Sequence, residues 1–171
     1  MLSKTIETAL NKQVRIEAES SQIYLSMASW SETHGLEGIS KFMYLQSDEE
    51  RMHMLKLITF INERGGHGQV SELKAPKASH GTFKEMFQEL YEHEIFVSGA
   101  INELVHVALS EKDYATHNFL QWYVAEQIEE EAQAKLILDK INLIGDDKGG
   151  LYLFDRDMHQ LATNGSASKD S

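Results

Sequence analysis

Four long stretches of this chain repeat apolar residues every three or four positions, and each breaks its stripe near mid-length with an acid or an amide. The stripes read Ile6, Leu10, Gln13, Glu17, Ser20, Tyr24, Ala28; then Ile39, Phe42, Gln46, Glu50, His53, Leu57, Phe60. The third is Phe83, Phe87, Leu90, Glu94, Val97, Ile101, Leu104, Ala108, and the fourth is Leu120, Tyr123, Gln127, Glu130, Ala134, Ile137, Ile141. This spacing puts each set on one face of an amphipathic helix. The middle layer of an antiparallel bundle is the same layer whichever way each helix runs. If the four helices pack together, the four interruptions meet. The pattern thus predicts an all-α four-helix bundle with acids in its own core.

Composition agrees. A single proline, Pro76, leaves the predicted helices without internal breakers. A length of 171 residues suits one domain with a sizeable core. The absence of cysteine excludes disulfides, thiolate metal sites, cysteine nucleophiles and a rubredoxin-type iron module. A net charge of −11 argues against binding nucleic acid through the whole surface. Met1 to Thr5 lacks the apolar run of a signal peptide, and no stretch is long and apolar enough to cross a membrane. A cytoplasmic protein without a membrane or nucleic-acid partner is expected.

The first helix is expected from about Lys4 to Thr33, with Ser3 as N-cap and Gly35 just past its end. The second runs from about Gly38 to Arg64 and stops at Gly65–Gly66. The stretch from Gly65 to Gly81 holds the only proline and reads as a long connection. A long link can run the length of a bundle and start the next helix at the same end. Thr82 and Glu85 form a capping box for the third helix, and Asp113 caps the fourth, which ends near Gly145. Residues 1–145 thus form the bundle. Within 146–162 lies a short fifth helix carrying Leu151, Phe154, Met158 and Leu161 on one side. Such a piece is too short to stand alone and must dock on its own subunit or a neighbour. Residues 163–171, containing Asn164-Gly165-Ser166, are expected to be a disordered tail.

The mid-layer residues are Glu17, Glu50, His53, Glu94, Gln127 and Glu130. Buried carboxylates repel one another and lose their hydration, and bound cations remove both costs. Glu50 and His53, three apart, share one helical face. A Glu-x-x-His pair alone is common on solvated helices. The coincident breaks on all four stripes are what mark a metal site. Carboxylate oxygens with a neutral imidazole suit iron, manganese or zinc better than calcium or copper.

This constellation resembles the ferritin-like di-iron carboxylate family, over nearly the whole chain and most closely its bacterial non-haem ferritin branch. A glutamate from each of two helices with Glu-x-x-His motifs on the others is a known layout of that family. The resemblance implies that Glu17, Glu50 and His53 surround a first iron. Glu50 bridges to a second held with Glu94 and Glu130, and Gln127 stands beside it. It implies a third iron site at Glu49, Glu126, Glu129 and Glu130. Read from the residues alone, Glu126, Glu129 and Glu131 are a solvated acidic run. Tyr24 matches the tyrosine beside the iron pair. Trp122 matches a position near the site, and a packing role fits it equally.

The same resemblance implies an iron-storage protein with ferroxidase activity. Fe(II) is oxidised by dioxygen or peroxide and stored as ferric oxyhydroxide inside a shell of 24 identical subunits. Deleting Leu151 onward is then expected to impair the shell. No haem is expected, because Arg51 occupies the position of the haem-ligating methionine of bacterioferritins and Met52 lies one residue further on. The second Glu-x-x-His of bacterioferritins is also missing from Glu126-Gln127-Ile128-Glu129-Glu130. The acids that line the three-fold channel of animal heavy-chain ferritins fall here at His117 and Leu120, which points to another entry for iron. His34, His67, His80, His93, His106 and His159 are expected at the surface or an interface. The rivals are a rubrerythrin-type oxidase, a sequestering shell subunit without fast oxidation, and a DNA-coating mini-ferritin. Missing cysteines oppose the first, the full ligand set the second, and the fifth helix and lack of a basic tail the third.

Overall fold

The computed structural model describes residues 1–169, with side chains described through Ala162. The tail expected over 163–171 lies outside the residues described in full. The elements are α1 (Lys4–Thr33), α2 (Glu37–Glu63), α3 (Phe83–Ser110), α4 (Tyr114–Ile144) and α5 (Lys148–Lys169). The architecture is an all-α four-helix bundle with a short C-terminal helix.

Local chemistry sets the helix ends. The Ser3 hydroxyl accepts from Ile6 N–H, Thr82 from Glu85 N–H and the Asp113 carboxylate from Thr116 N–H. Each satisfies a first-turn donor that the helix itself leaves unpaired. Gly35, at φ +73°, makes the left-handed turn that reverses the chain between α1 and α2.

The short α1–α2 and α3–α4 links make two antiparallel hairpins. Between them the crossover runs along α1. Glu7 accepts from His67 N–H near one end of α1, and Ser26 donates to the Lys77 carbonyl nearer the other. Phe83 then packs on Trp30, with ring centroids 4.8 Å apart, so α3 starts at the end where α1 finishes. Arg64, at the close of α2, donates to both Asp113 oxygens at 3.2 and 3.0 Å. That ties the end of α2 to the start of α4.

The apolar core falls into two parts. One gathers Met27, Ile39, Phe42, Phe87 and Ile137, and the other Leu10, Val14, Leu57, Ile101 and Leu120. The polar mid-layer separates them. All six of its residues are buried, from 1% exposed for Glu17 to 8% for Gln127 and Glu130.

Helix α5 docks on its own bundle. Phe154 and Met158 join the first core part, and Phe154 meets Phe87 edge-on at 5.7 Å. The fourth docking position falls to Ala162, buried at 2%, while Leu161 is 43% exposed. Helix α2 has no cap from its own N-cap residue, Leu36. Asp155 of α5 supplies one, accepting from Ile39 N–H at 2.8 Å. The approach is close: a Cβ on Gly38 would lie 1.8 Å from the Asp155 carbonyl oxygen. Gly38→Ala is therefore expected to push α5 off the bundle and cost about 1–3 kcal/mol. Faster amide hydrogen exchange across α5, with α3 protected as before, would show it.

Candidate metal centre

Glu17, Glu50 and His53 come together from α1 and α2. One ligand atom from each lies within 4.8 Å of the other two. His53 Nδ1 stands 3.5 Å from Glu50 Oε2 and 3.9 Å from Glu17 Oε2. Glu50 Oε2 is fully buried and accepts no hydrogen bond. Such an oxygen is costly to leave alone, and a cation between the three groups would satisfy it. The donor set, two carboxylates and an imidazole, fits a hard or borderline divalent metal. Tyr123 holds the backbone behind the imidazole, its hydroxyl donating to the His53 carbonyl at 2.7 Å.

Glu94 and Glu130 lie on the far side of the same layer and do not close onto that trio. Tyr24 donates to Glu94 Oε1, and Gln127 donates to Glu94 Oε2 at 2.8 Å. Gln46 donates to Glu130 Oε2 at 3.4 Å. Both acids line a space of about 10 Å³ together with Tyr24 and Gln46, room for about one water or one ion. A third glutamine, Gln13, donates to Glu17 Oε1 at 2.8 Å. Gln13 and Gln46 lie on the apolar stripes, where the pattern alone assigns them no role. An amide one turn from a buried acid was the available signal.

A second trio, Glu49, His53 and Glu126, also converges within 4.8 Å, at the half-exposed mouth between α2 and α4. The four acids expected at a third site are thus divided. Glu49 and Glu126 group with His53, Glu130 is buried in the layer, and Glu129 is exposed. The α2 and α4 backbones stand apart here, with no Cα pair within 8 Å among the described residues. Long polar side chains fill the gap.

Two of the histidines expected at the surface or an interface, His80 and His93, are covered by the subunit's own chain. His80 is buried and its Nδ1 lies 2.8 Å from Glu89 Oε2. His93 is half-buried with Nε2 2.7 Å from Ser20 Oγ, and burial pulls its pKa down to about 4. Both line a cleft of about 440 Å³ under the crossover. Leu120, at one matched three-fold channel position, is wholly buried in the core.

Burial dominates the electrostatics of the layer. It raises the Glu50 carboxyl to about 7, with the charges of Glu49 and Glu126 adding to the rise and a hydrogen bond with Glu17 opposing it. Glu94 is raised to about 7 by burial, against the hydrogen bond from Gln127. Glu130 is raised to about 9 by burial and by the charges of Glu94, Glu49, Glu50 and Glu126. Glu17 is raised well above its ordinary range by burial and the charge of Glu50. The metal-free folded chain therefore holds protons that the unfolded chain releases near pH 4.5. Stability from this layer falls as pH rises from about 4.5 to 9. The thermal midpoint of the metal-free protein should drop across that window, and Glu130→Gln should flatten the drop. Zn(II), a redox-silent occupant, should stabilise the fold more at pH 8 than at pH 5, because it displaces those protons. Melting curves across the pH range test both points.

Comparison with known proteins places this geometry. A family profile for the ferritin-like domain matches residues 7–144. The chain is 44% identical over 163 residues to a probable bacterial non-heme ferritin-like protein of Haemophilus influenzae, covering 95% of this chain and 99% of that one. It is 44% identical over 162 residues to the bacterial non-heme ferritin of Campylobacter jejuni, covering 95% and 97%. Among solved structures, an open pore ferritin from the hyperthermophilic archaeon Archaeoglobus fulgidus superposes with a TM-score of 0.91 at 44% identity. That match covers 93% of this chain and 98% of the other. With a matching profile over most of its length, full-length relatives and a shared fold, the chain belongs to the ferritin family, among the bacterial non-haem ferritins.

Proposed function

We propose that this chain is the subunit of an iron-storage shell and that it oxidises Fe(II) at the mid-bundle layer. The observation that carries this reading is the burial of Glu17, Glu50, His53, Glu94 and Glu130 in the middle of the bundle, with Glu50 Oε2 fully buried and accepting no hydrogen bond. Iron is the substrate here. One Fe(II) sits with Glu17, Glu50 and His53, and a second with Glu50, Glu94 and Glu130. Entering Fe(II) displaces the protons that burial keeps on these carboxyls. An oxygen-rich anionic shell then favours Fe(III) over Fe(II). Two Fe(II) give one electron each, and dioxygen with two protons becomes hydrogen peroxide. With peroxide as oxidant, two Fe(II) and two protons yield two waters.

The residues around the acids set their orientation. Tyr24 and Gln127 fix Glu94, Gln13 fixes Glu17, and Tyr123 fixes the His53 backbone. Ferric product leaves through the mouth between α2 and α4, where Glu49 and Glu126 are half-exposed and Glu129 is exposed. It is stored as mineral inside a 24-subunit shell. Assembly draws support from large apolar side chains exposed on the single chain, among them Phe96, Tyr114, Ile128, Leu143 and Tyr152. No helix among the described residues is long and apolar enough to cross a membrane.

Stopped-flow absorbance of metal-free protein mixed with about two Fe(II) per chain in aerated buffer tests the chemistry. A fast phase saturating near two irons is expected. Glu50→Ala should abolish it, and Tyr24→Phe should slow it about tenfold. Oxidation no faster than in buffer alone would leave a storage subunit without catalysis. The shell is tested separately. Replacing exposed Tyr152 and Leu153 of α5 together by Glu should leave helix content unchanged and break the assembly, read by native mass. An intact 24-subunit mass would count against α5 as an assembly element.

A further inference from the structure

The mouth between α2 and α4 has a positive charge beside it. Lys56 lies one turn beyond His53 on α2, and Trp122 lies one turn before Glu126 on α4. The Lys56 ammonium sits 3.4 Å from the centroid of the Trp122 ring. Trp122 in turn meets His53 edge-on at 5.2 Å and Tyr123 edge-on at 4.9 Å. The indole is thus wedged between the imidazole of the metal trio and an exposed cation. Glu126 is close enough for its charge to act on both Lys56 and Glu50. No ion pair within 4.0 Å forms between Lys56 and Glu126. The ammonium rests on the ring face, and Glu126 keeps its place in the trio with Glu49 and His53.

We infer that Lys56, parked on Trp122, is a tethered counter-charge that weakens cation binding at the Glu49–His53–Glu126 mouth. This inference rests on reading the mouth as a cation site on the exit side of the metal layer. A contact ion pair with Glu126 would block the site by occupying a ligand. A cation held on the indole face leaves the ligands in place and repels whatever they bind. A cation–π contact at an exposed position is weak, so it parks the side chain without locking it there. The result is a site that accepts a multivalent cation and lets it go. That property suits a point of passage rather than a resting place. Lys56 acts through charge on the bound cation and is a positioning residue.

The test uses terbium(III), a hard cation whose luminescence is excited through a nearby indole, titrated into the metal-free full-length protein. The wild type is compared with Lys56→Met, which keeps an apolar stem against Trp122 without charge, and Lys56→Arg, which keeps the charge. Lys56→Met is expected to bind terbium about three- to tenfold more tightly at low salt, with the gap closing at about 0.5 M salt as screening removes the repulsion. Lys56→Arg should match the wild type, which a purely structural role for the side chain would not predict. Glu126→Gln should abolish the mouth-site component of the signal in every background, whatever terbium the buried layer also holds. Equal affinities for wild type and Lys56→Met at low salt, with the mouth-site component still lost in Glu126→Gln, would overturn the role of Lys56 and leave the mouth site standing. A signal indifferent to Glu126→Gln would overturn the mouth site and the role of Lys56 together.

Discussion

The rest of this fold is arranged around a layer of buried carboxylates. Glu17, Glu50, Glu94 and Glu130 occupy one layer, each at most 8% exposed. Ionised and empty, that layer is costly through lost hydration and mutual repulsion. The two apolar core parts on either side must hold it closed. The Arg64–Asp113 tie and the docking of α5 lie away from the layer and brace the ends of the bundle, and the crossover is strapped along the length of α1. Stability is kept at the ends and spent in the middle, which is where a binding site belongs in a bundle.

Most of this was readable from the sequence for one reason: a helix repeats every 3.6 residues, so a stripe predicts a buried face. Of the 29 stripe positions on α1 to α4, 27 are buried, and the exceptions, Phe60 and Phe83, lie at helix ends where the bundle opens. Caps at Ser3, Thr82 and Asp113 were equally legible, because they act within one turn. What could not be read depends on contacts distant in sequence. Asp155 caps α2 across 116 positions, and nothing local marks it. His80 is covered because the crossover folds under itself against Trp30 and Glu89. The stripe rule placed Glu49 and Glu126 off the core, and it could not show that the gap between α2 and α4 brings both to His53. Leu161 and Ala162 are neighbours, and choosing which faces the core needed the entry angle of α5.

The gap between α2 and α4 also explains why the site has a mouth at all. In the α1–α2 and α3–α4 hairpins the backbones pack closely. Across the bundle, α2 and α4 are bridged by side chains: Gln46 to Glu130, His53 to Trp122 and Tyr123, Lys56 to Trp122. Polar and aromatic groups can rearrange within such a gap while the backbones stay where the apolar core puts them.

Gln13, Gln46 and Gln127 each donate to a different buried acid. A lysine or arginine in any of these places would also donate, and more strongly. It would also be a resident counter-ion, already sitting where a guest must go. A neutral amide orients a carboxyl whether or not that carboxyl carries a proton, and it offers no charge that a metal has to displace. On the proposed function, the layer would fill and empty without its walls changing state, much as a mould keeps its form between castings.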